Sequence, residues 1–182
     1  MKVALELSAS YQKSKARVLD LCCGVGFSTR ALREAFPDAE TVVGIDTSSE
    51  MLAMARFISA HVAHLKPWWE LRRLRMAKNM EVLFQHSKQF RDDAQKVCTQ
   101  TIFKKGNAEN TLYQERSFDV VTVMYAFHEA PRAGRERILR EARRILNPGG
   151  ILAVIDISSD YQPSESMLAG EPYGKLYTVV RQ

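Results

Sequence analysis

Two glycines and a few acidic or amide side chains are the residues in this sequence best suited to bind a ligand. Gly24 and Gly26 directly follow a short apolar run, and glycines at such a turn let backbone N–H groups approach a bound molecule closely. Asp46 ends the next apolar run, about 20 residues on, where a carboxylate can accept both hydroxyls of a ribose. The acidic or amide residues at or just beyond such run ends are Asp20, Asp46, Asn107 and Asp156. This order favours a nucleoside ligand.

Strands and helices must alternate to bring these residues together. The predicted strands are 17–21, 41–45, 101–104, 118–124 and 151–157. The predicted helices are 28–36, a helix from residue 50 onward, and the Arg-rich 131–146. Apolar runs that alternate with helices indicate an α/β protein with a parallel sheet covered on both faces. Ligands bind beyond the carboxyl ends of the strands in such sheets, which is where the residues above are expected.

The composition suits one compact globular domain. The 182 residues are 46% hydrophobic and 26% charged, which gives enough apolar surface to form a core and excludes a disordered chain. No apolar run reaches the ~20 residues of a membrane helix, and the N-terminus lacks the apolar centre of a signal peptide. Three cysteines, two of them adjacent, form a poor disulfide set, so we expect a reducing, cytoplasmic setting.

Five segments follow one another in a characteristic order along the chain. They are VLDLCCGVGFST, VVGIDTSSEMLAMAR, GNAE, SFDVVTVMYAFHEAP and ILREARRILNPGGILAVIDIS. Together they resemble the motifs of class I S-adenosylmethionine-dependent methyltransferases of the type 11/25 kind, especially the ubiquinone/menaquinone-biosynthesis branch. The resemblance implies a Rossmann-like fold, S-adenosylmethionine as cofactor, S-adenosylhomocysteine as product, and a small-molecule methyl acceptor.

The resemblance also assigns roles to individual residues. It implies that Asp20 helps to orient the methionine amino group, that Asp46 binds the ribose hydroxyls and that Met51 packs on adenine. Asn107, where many relatives have Asp, and Ala108 would meet the adenine edge. The other implied cofactor contacts are Cys22, Cys23, Gly24, Gly26, Thr47 and the backbone of Met124.

Cys22 stands where many relatives of this kind have a third glycine. A cysteine is tolerable there when the backbone avoids the left-handed conformation that glycine adopts most easily.

The loop 125–129 follows the fourth predicted strand. The resemblance implies that the methyl acceptor binds beside this loop. Methyl transfer is an in-line displacement, so alignment supplies much of the rate, and a base is needed only if the acceptor loses a proton. His128 is the first candidate base because imidazole titrates near neutral pH, and Tyr125 and Glu129 are next. A positioning or structural role for His128 is the alternative. The other histidines lack partners at metal-ligand spacing, so no metal is predicted.

A basic segment separates the second predicted helix from the third predicted strand. Residues 51–104 contain ten Lys or Arg and four Asp or Glu, so the net charge of +5 resides mainly there. Residues from about 66 to 100 are predicted to form a helical insert with an apolar residue at every seventh position. Such an apolar stripe can pack against a second copy of the chain, so a homodimer through the insert is one expectation.

The residues after the last predicted strand are too few for the helix and two strands that usually close this fold. We expect a single domain over 1–182 with a sheet shortened at its C-terminal edge. The chain would then be a fragment, or a partner would complete its sheet.

Two other functions stay open. One is a nucleic-acid methyltransferase that uses the basic insert with Trp68 and Trp69, although a Pro-Pro-Tyr-type motif is missing and nucleic acid is the less favoured partner. The other is a non-catalytic module that self-associates.

Overall fold

Within the described residues, the chain folds into five parallel strands and three helices, and residues 6–9 are helical as well. The computed structural model describes residues 6–9, 11, 15–61 and 101–157. The strands are β1 (Arg17–Leu21), β2 (Thr41–Asp46), β3 (Thr101–Lys105), β4 (Phe118–Met124) and β5 (Leu146–Ile155). The helices are α1 (Phe27–Ala35), α2 (Ser49–His61) and α3 (Arg132–Ile145). The order across the sheet is β3-β2-β1-β4-β5. From β1 the chain continues to β2, and from the neighbouring strand β4 it continues to β5, so the two connections lead towards opposite edges of the sheet.

Helices cover both faces of this sheet, as predicted. Successive strand residues point to opposite faces, so each central strand supplies two sets of buried side chains. The set facing α3 comprises Leu19, Leu21, Val43, Ile45, Val121 and Val123, packed on Ile138, Ala142 and Ile145. The set on the opposite face comprises Val18, Val42 and Val120, packed on Leu32, Ala35 and Phe36. Each fully buried aliphatic side chain stabilises the fold by ~1.5–3 kcal/mol.

On the face of the sheet that packs against α1, one row of residues across the strands is polar. Asp20 of β1 pairs in register with Gly44 of β2 on one side and Thr122 of β4 on the other. A Cβ atom at Gly44 would lie 2.6 Å from Thr29 Oγ1 and 2.9 Å from Cys23 Sγ. The missing side chain at Gly44 therefore leaves the gap into which the start of α1 and the turn before it fit.

The elements other than β5 agree with the sequence prediction to within one residue at each end for which the sequence gives a bound, which leaves out the end of α2. This strand begins at Leu146, directly after α3, because Leu146 already has an extended backbone. Phe118 pairs with Leu146 and Val120 with Ile151, so the predicted turn 147–150 is an irregularity inside the β4–β5 ladder. The strand also ends earlier than expected, at Ile155, which leaves Asp156 beyond the sheet.

Several predictions fall outside the described residues. These are the helical insert at about 66–100 with Trp68 and Trp69, and the C-terminal segment beyond residue 157. The single domain over 1–182, the shortened sheet edge and a homodimer through the insert therefore stay predictions. In the part of the chain that is described, no helix is long and apolar enough to cross a membrane.

Gly44→Ala tests whether the gap at Gly44 holds α1 in place. The new methyl group would approach Thr29 Oγ1 and Cys23 Sγ more closely than normal contacts allow, so we expect the free energy of unfolding to fall by ~1–3 kcal/mol. Gly106→Ala is the matched control, because its methyl group would meet the Ile45 side chain at 3.3 Å, a contact that a small movement relieves. Urea denaturation measures both, and equal losses would contradict the role of the gap.

Candidate functional site

The predicted site residues all lie at the carboxyl edge of the sheet, as expected for a parallel arrangement. Backbone hydrogen bonds just beyond the strands hold the loops of this edge together. The N–H to C=O distances are 2.9 Å from Cys23 to Ile45, 3.0 Å from Gly106 to Asp46 and 2.8 Å from Tyr125 to Ile155. The loops that carry the candidate residues therefore start from fixed points.

The turn after β1 uses its two glycines for different purposes. Gly26 has a φ of 77°, and a Cβ atom there would lie 2.4 Å from the ring of Phe103 in β3. Only glycine allows α1 to begin this close to β3. Gly24 is also left-handed, with a φ of 52°, but a Cβ atom there would meet nothing within 4 Å. The turn therefore borders open space at Gly24, on the side where the cofactor is predicted.

Cys22 does not meet the condition under which a cysteine is tolerable at this position, because its backbone is left-handed. Its φ is 57°, similar to that of Gly24 two residues later. A side chain in this conformation brings Cβ close to the following carbonyl, which costs on the order of 1–2 kcal/mol. Two backbone hydrogen bonds of Cys23 hold the turn in this shape. The Cys23 N–H donates to the Ile45 C=O, and the Cys23 C=O accepts a bond from Gly26 N–H at 2.8 Å.

Both thiols of the turn are protonated at neutral pH. Burial, together with the nearby carboxylates of Asp20 and Asp46, raises the pKa of Cys22 to about 11 and that of Cys23 to about 12. Because the thiolate is the reactive form of cysteine, these side chains act in packing rather than as nucleophiles.

Asp46 connects the ends of β1 and β2 through its carboxylate. Its Oδ2 accepts a hydrogen bond from Gly24 N–H at 2.8 Å, and its Oδ1 accepts one from Ser48 N–H at 2.9 Å. Each carboxylate oxygen can accept more than one hydrogen bond, so both keep capacity for a ligand. A half-buried carboxylate is thus fixed beside the glycine turn, where the ribose hydroxyls are predicted to bind.

The first turn of α2 lies next to this carboxylate. Ser48 caps the helix, since its Oγ accepts a hydrogen bond from Met51 N–H at 3.1 Å. The cap leaves Thr47 exposed and the Met51 side chain 48% exposed. The predicted contact of Met51 with adenine stays a prediction, supported by an apolar surface beside Asp46.

The loop after β3 contains the two residues predicted to meet the adenine edge. Asn107 is exposed, and its Oδ1 accepts a hydrogen bond from Glu109 N–H at 2.9 Å, which forms a tight local turn. The Ala108 side chain is buried in the core that faces α3. Only the backbone of Ala108 is therefore available to a ligand from this position.

One ion pair and one pair of hydrogen bonds to a carboxylate fasten this loop to α3. Glu109 Oε2 lies 2.6 Å from Arg137 Nε, and Glu141 Oε1 accepts hydrogen bonds from the Thr111 hydroxyl at 2.6 Å and the Thr111 N–H at 2.8 Å. Hydrogen bonds from Arg144 and Thr111 lower the pKa of Glu141 to about 2. The carboxylate is therefore ionised near neutral pH, and α3 sets the position of the loop.

Asp20 has a completely buried carboxylate. Its Oδ2 accepts hydrogen bonds from Ser28 Oγ at 2.6 Å and Thr29 Oγ1 at 2.7 Å, and its Oδ1 accepts one from Thr122 Oγ1 at 2.7 Å. Burial raises the pKa of Asp20 and outweighs the opposing effect of the three hydroxyls. These bonds fasten the start of α1 to both β1 and β4, while the predicted contact with the methionine amino group stays a prediction.

The loop after β4 carries the three candidate catalytic residues. Met124 ends the strand, and Tyr125 turns the chain outward with a left-handed φ of 55° and a side chain that is 63% exposed. His128 is mostly buried, and its Nδ1 lies 2.7 Å from Asp156 Oδ1 beyond β5. Glu129 is exposed, with Oε1 3.7 Å from His128 Nε2. The structure thus brings His128 close to Glu129 and adds Asp156 as its partner.

Across the described ranges, no group of three or more His, Cys, Asp or Glu side chains could hold a metal ion. The expectation of a metal-free site stays a prediction, because some histidines lie outside those ranges.

A family model described as a methyltransferase domain matches residues 19–154, from β1 into β5. The chain belongs to the methyltransferase domain family. S-adenosylmethionine is the cofactor of this family, and the open space at Gly24 beside the Asp46 carboxylate suits it. The matched range of this methyltransferase domain includes every residue predicted to bind the cofactor.

Relatives of the methyltransferase domain include demethylmenaquinone methyltransferases from several bacteria. The one from Lactiplantibacillus plantarum is 27% identical over 150 residues, covering 82% of this chain and 48% of its own. The one from Lactococcus lactis is 31% identical over 146 residues, covering 80% and 44%. The chain therefore spans about half the length of the curated relatives it matches. Among solved structures, the YcgJ protein of Bacillus subtilis shares the fold, with a TM-score of 0.56 and 20% identity over 91% of this chain and 54% of that chain.

The sequence prediction missed four side chains that support the site of this methyltransferase domain. They are Ser28, Thr29 and Thr122 around Asp20, and Asp156 as the partner of His128. A lone threonine inside the apolar run FDVVTVM was a signal for Thr122, because a polar side chain in a buried strand needs a partner. Asp156 stands out in the sequence as a strand-end acid, but no spacing in the sequence connects it to a histidine 28 residues earlier.

Asp20→Asn is expected to change how stability depends on pH. Burial raises the carboxyl pKa in the folded state above the ~3.9 of an unfolded chain, so wild type loses stability as Asp20 ionises on raising the pH from about 4. The amide does not ionise, so the stability of the variant relative to wild type should rise between about pH 4 and neutrality.

Urea denaturation at several pH values measures this difference. Asp20→Ala is the companion variant, because it also cannot ionise but leaves three buried hydroxyls without their acceptor. It should be less stable than Asp20→Asn at every pH, yet follow the same trend relative to wild type. A difference between wild type and both variants that does not vary with pH would contradict the burial argument.

Cys22→Gly and Cys22→Ala together test the cost of the left-handed backbone. Both lose the thiol, but only alanine keeps a Cβ atom at a φ of 57°. We expect the glycine variant to be more stable than the alanine variant by ~0.5–1 kcal/mol, since relief of the Cβ contact exceeds the extra chain entropy of glycine. Thermal or urea unfolding provides the comparison, and an alanine variant of equal or greater stability would overturn it.

Proposed function

We propose that this chain is the cofactor-binding part of an S-adenosylmethionine-dependent methyltransferase that acts on a small, quinone-type acceptor. The observation that carries the proposal is the Asp46 carboxylate, held against the glycine turn by Gly24 N–H and beside the start of α2 by Ser48 N–H. A carboxylate in this position can take up the two hydroxyls of a ribose through charge-assisted hydrogen bonds. Because the chain belongs to the methyltransferase domain family, we infer that this ribose is the one in S-adenosylmethionine.

The cofactor would be held by three parts of the carboxyl edge. In this proposal the glycine turn faces the methionine and ribose, the start of α2 faces adenine from one side, and the loop after β3 meets its edge. The residues concerned are Asp20, Cys22, Cys23, Gly24, Gly26, Asp46, Thr47, Met51, Asn107, Ala108 and Met124. Asp46 supplies the charged contact to the ribose, Asp20 helps to orient the methionine amino group, and Asn107 meets the adenine edge. The others supply shape and backbone groups.

When bound, S-adenosylmethionine supplies a methyl group on a positively charged sulfur, which is ready for in-line displacement. The contribution of the chain is first of all alignment, because its site residues stand on strand ends that hydrogen bonds fix. The acceptor would arrive beside the loop 125–129, where His128 is the first candidate to accept a proton, followed by Tyr125 and Glu129.

A quinone-type acceptor is favoured by the names of the relatives. The proteins from Lactiplantibacillus plantarum and Lactococcus lactis are demethylmenaquinone methyltransferases. They align with this chain over 150 and 146 residues, which is about half of their own length. A nucleic-acid acceptor and a non-catalytic, self-associating module depend on the segment 66–100 and draw no support from these names. A cytoplasmic setting and a homodimer through the insert stay predictions.

Isothermal titration calorimetry with S-adenosylhomocysteine tests the cofactor site directly. We expect the 182-residue chain to bind this product, and Asp46→Asn to weaken binding by roughly 10- to 100-fold, since a hydrogen bond to a charged group is worth ~1.5–3 kcal/mol. Asp38→Asn is the matched control, because it removes an exposed carboxylate at the other end of β2 and should change affinity less than twofold.

Binding that is absent in wild type, or equally affected by both substitutions, would overturn the assignment of the site. The acceptor is tested separately, by transfer of a labelled methyl group from S-adenosylmethionine to reduced demethylmenaquinone. Cofactor binding without transfer to this quinol would reject the quinone-type acceptor while leaving the cofactor site intact.

A further inference from the structure

Asp156 is held by an unusually complete set of hydrogen bonds at the end of β5. Its Oδ2 accepts bonds from Phe127 N–H at 2.6 Å and His128 N–H at 3.1 Å. Its Oδ1 lies 2.7 Å from both Ile157 N–H and His128 Nδ1. One carboxylate therefore fixes the backbone of the loop after β4 and the ring of its histidine at the same time.

The ionisation of Asp156 determines which atom of this pair carries the proton. Burial alone raises the pKa of the Asp156 carboxyl, but hydrogen bonds from Ile157 N–H and from the backbone and ring of His128 outweigh burial and lower the pKa below its usual value. The carboxylate is then ionised at neutral pH and can only accept hydrogen bonds. His128 Nδ1 must donate, because a contact of 2.7 Å between two acceptors would be repulsive.

A donating Nδ1 leaves the other ring nitrogen as an acceptor. In a neutral imidazole, one nitrogen carries the proton and the other carries a lone pair. The Nε2 of His128 is 3.7 Å from Glu129 Oε1, which is beyond hydrogen-bond distance, and the ring is 25% exposed. Its lone pair is thus accessible at the edge where the acceptor is expected.

We propose that Asp156 is a positioning residue that holds His128 in the tautomer with an unprotonated Nε2, and that this Nε2 takes the proton of an ionisable, phenol- or enol-type hydroxyl on the methyl acceptor. This inference rests on the proposed function and narrows its acceptor class. An acceptor that needs no deprotonation gains nothing from such a pair, whereas a quinol hydroxyl becomes a strong nucleophile on losing its proton.

The proton and electron pairs balance in this step. The O–H bond of the acceptor breaks and its proton goes to His128 Nε2, while the electron pair stays on the acceptor. The acceptor uses that pair, through oxygen or the conjugated carbon beside it, to bond the methyl carbon, and the pair of the broken S–C bond goes to sulfur. If carbon is methylated, its own proton then moves to the oxygen through water, and His128 releases the first proton to solvent.

Asp156→Asn separates this role from a purely structural one. The amide keeps the shape of the side chain but removes the charge that makes Nδ1 the donor. We expect the 15N chemical shifts of His128, assigned by comparison with His128→Gln, to report protonated Nδ1 and unprotonated Nε2 in the wild-type chain without cofactor. In Asp156→Asn the two tautomers should mix. Glu136→Gln, an acid-to-amide change on the exposed side of α3, should leave the signals unchanged.

Methyl transfer to reduced demethylmenaquinone provides the second measurement. Asp156→Asn should lower kcat at least tenfold and His128→Gln by roughly a hundredfold, both with little change in affinity for S-adenosylhomocysteine. A wild-type signal with protonated Nε2, a tautomer that is unchanged in Asp156→Asn, or a changed tautomer with normal kcat would each overturn the inference. Loss of cofactor binding in wild type would instead refute the proposed function, because the tautomer measurement needs no cofactor.

Discussion

A single buried carboxylate connects the parts of this domain that must meet for a cofactor to bind. Asp20 lies in the central strand, and its three hydroxyl partners come from the start of α1 and from the neighbouring strand β4. Burying a charge without partners is very costly, so the sheet and helix must approach closely enough for all three hydroxyls to reach it. Gly44, beside Asp20 in the sheet, permits this approach by having no side chain.

The geometry of the carboxyl edge follows from that anchored helix. The chain reaches α1 through a turn of five residues, 22–26, three of which are left-handed. This turn places Gly24 N–H on Asp46 and Gly26 against Phe103. On the other side of β1, the loop after β4 begins with a left-handed Tyr125 and is held by Asp156. Non-glycine residues in this conformation are strained, and the surrounding hydrogen bonds offset the strain at the two places where ligands are expected.

Much of the fold could be predicted because its signals are local. Apolar β-branched runs indicate strands, glycine and proline mark turns, and a carboxylate after each of two strands indicates a ligand at one edge. The bounds of β1 and β4 follow from the sequence directly, and those of α1 and α3 to within one residue. The start of β5 does not, because Asn147, Pro148 and two glycines normally end a strand, and only pairing with β4 keeps Leu146 in the ladder.

The sequence by itself determined the fold class, the cofactor family and the residues at the carboxyl edge, since these depend on periodicity and on motifs that are contiguous in the chain. Tertiary structure alone decided what each of these residues contacts. The sequence contains Cys22 but not its φ, and it contains Asp156 and His128 but not the 2.7 Å between them. Such contacts join residues that are distant along the chain, so they are fixed only when strands and helices pack into one arrangement.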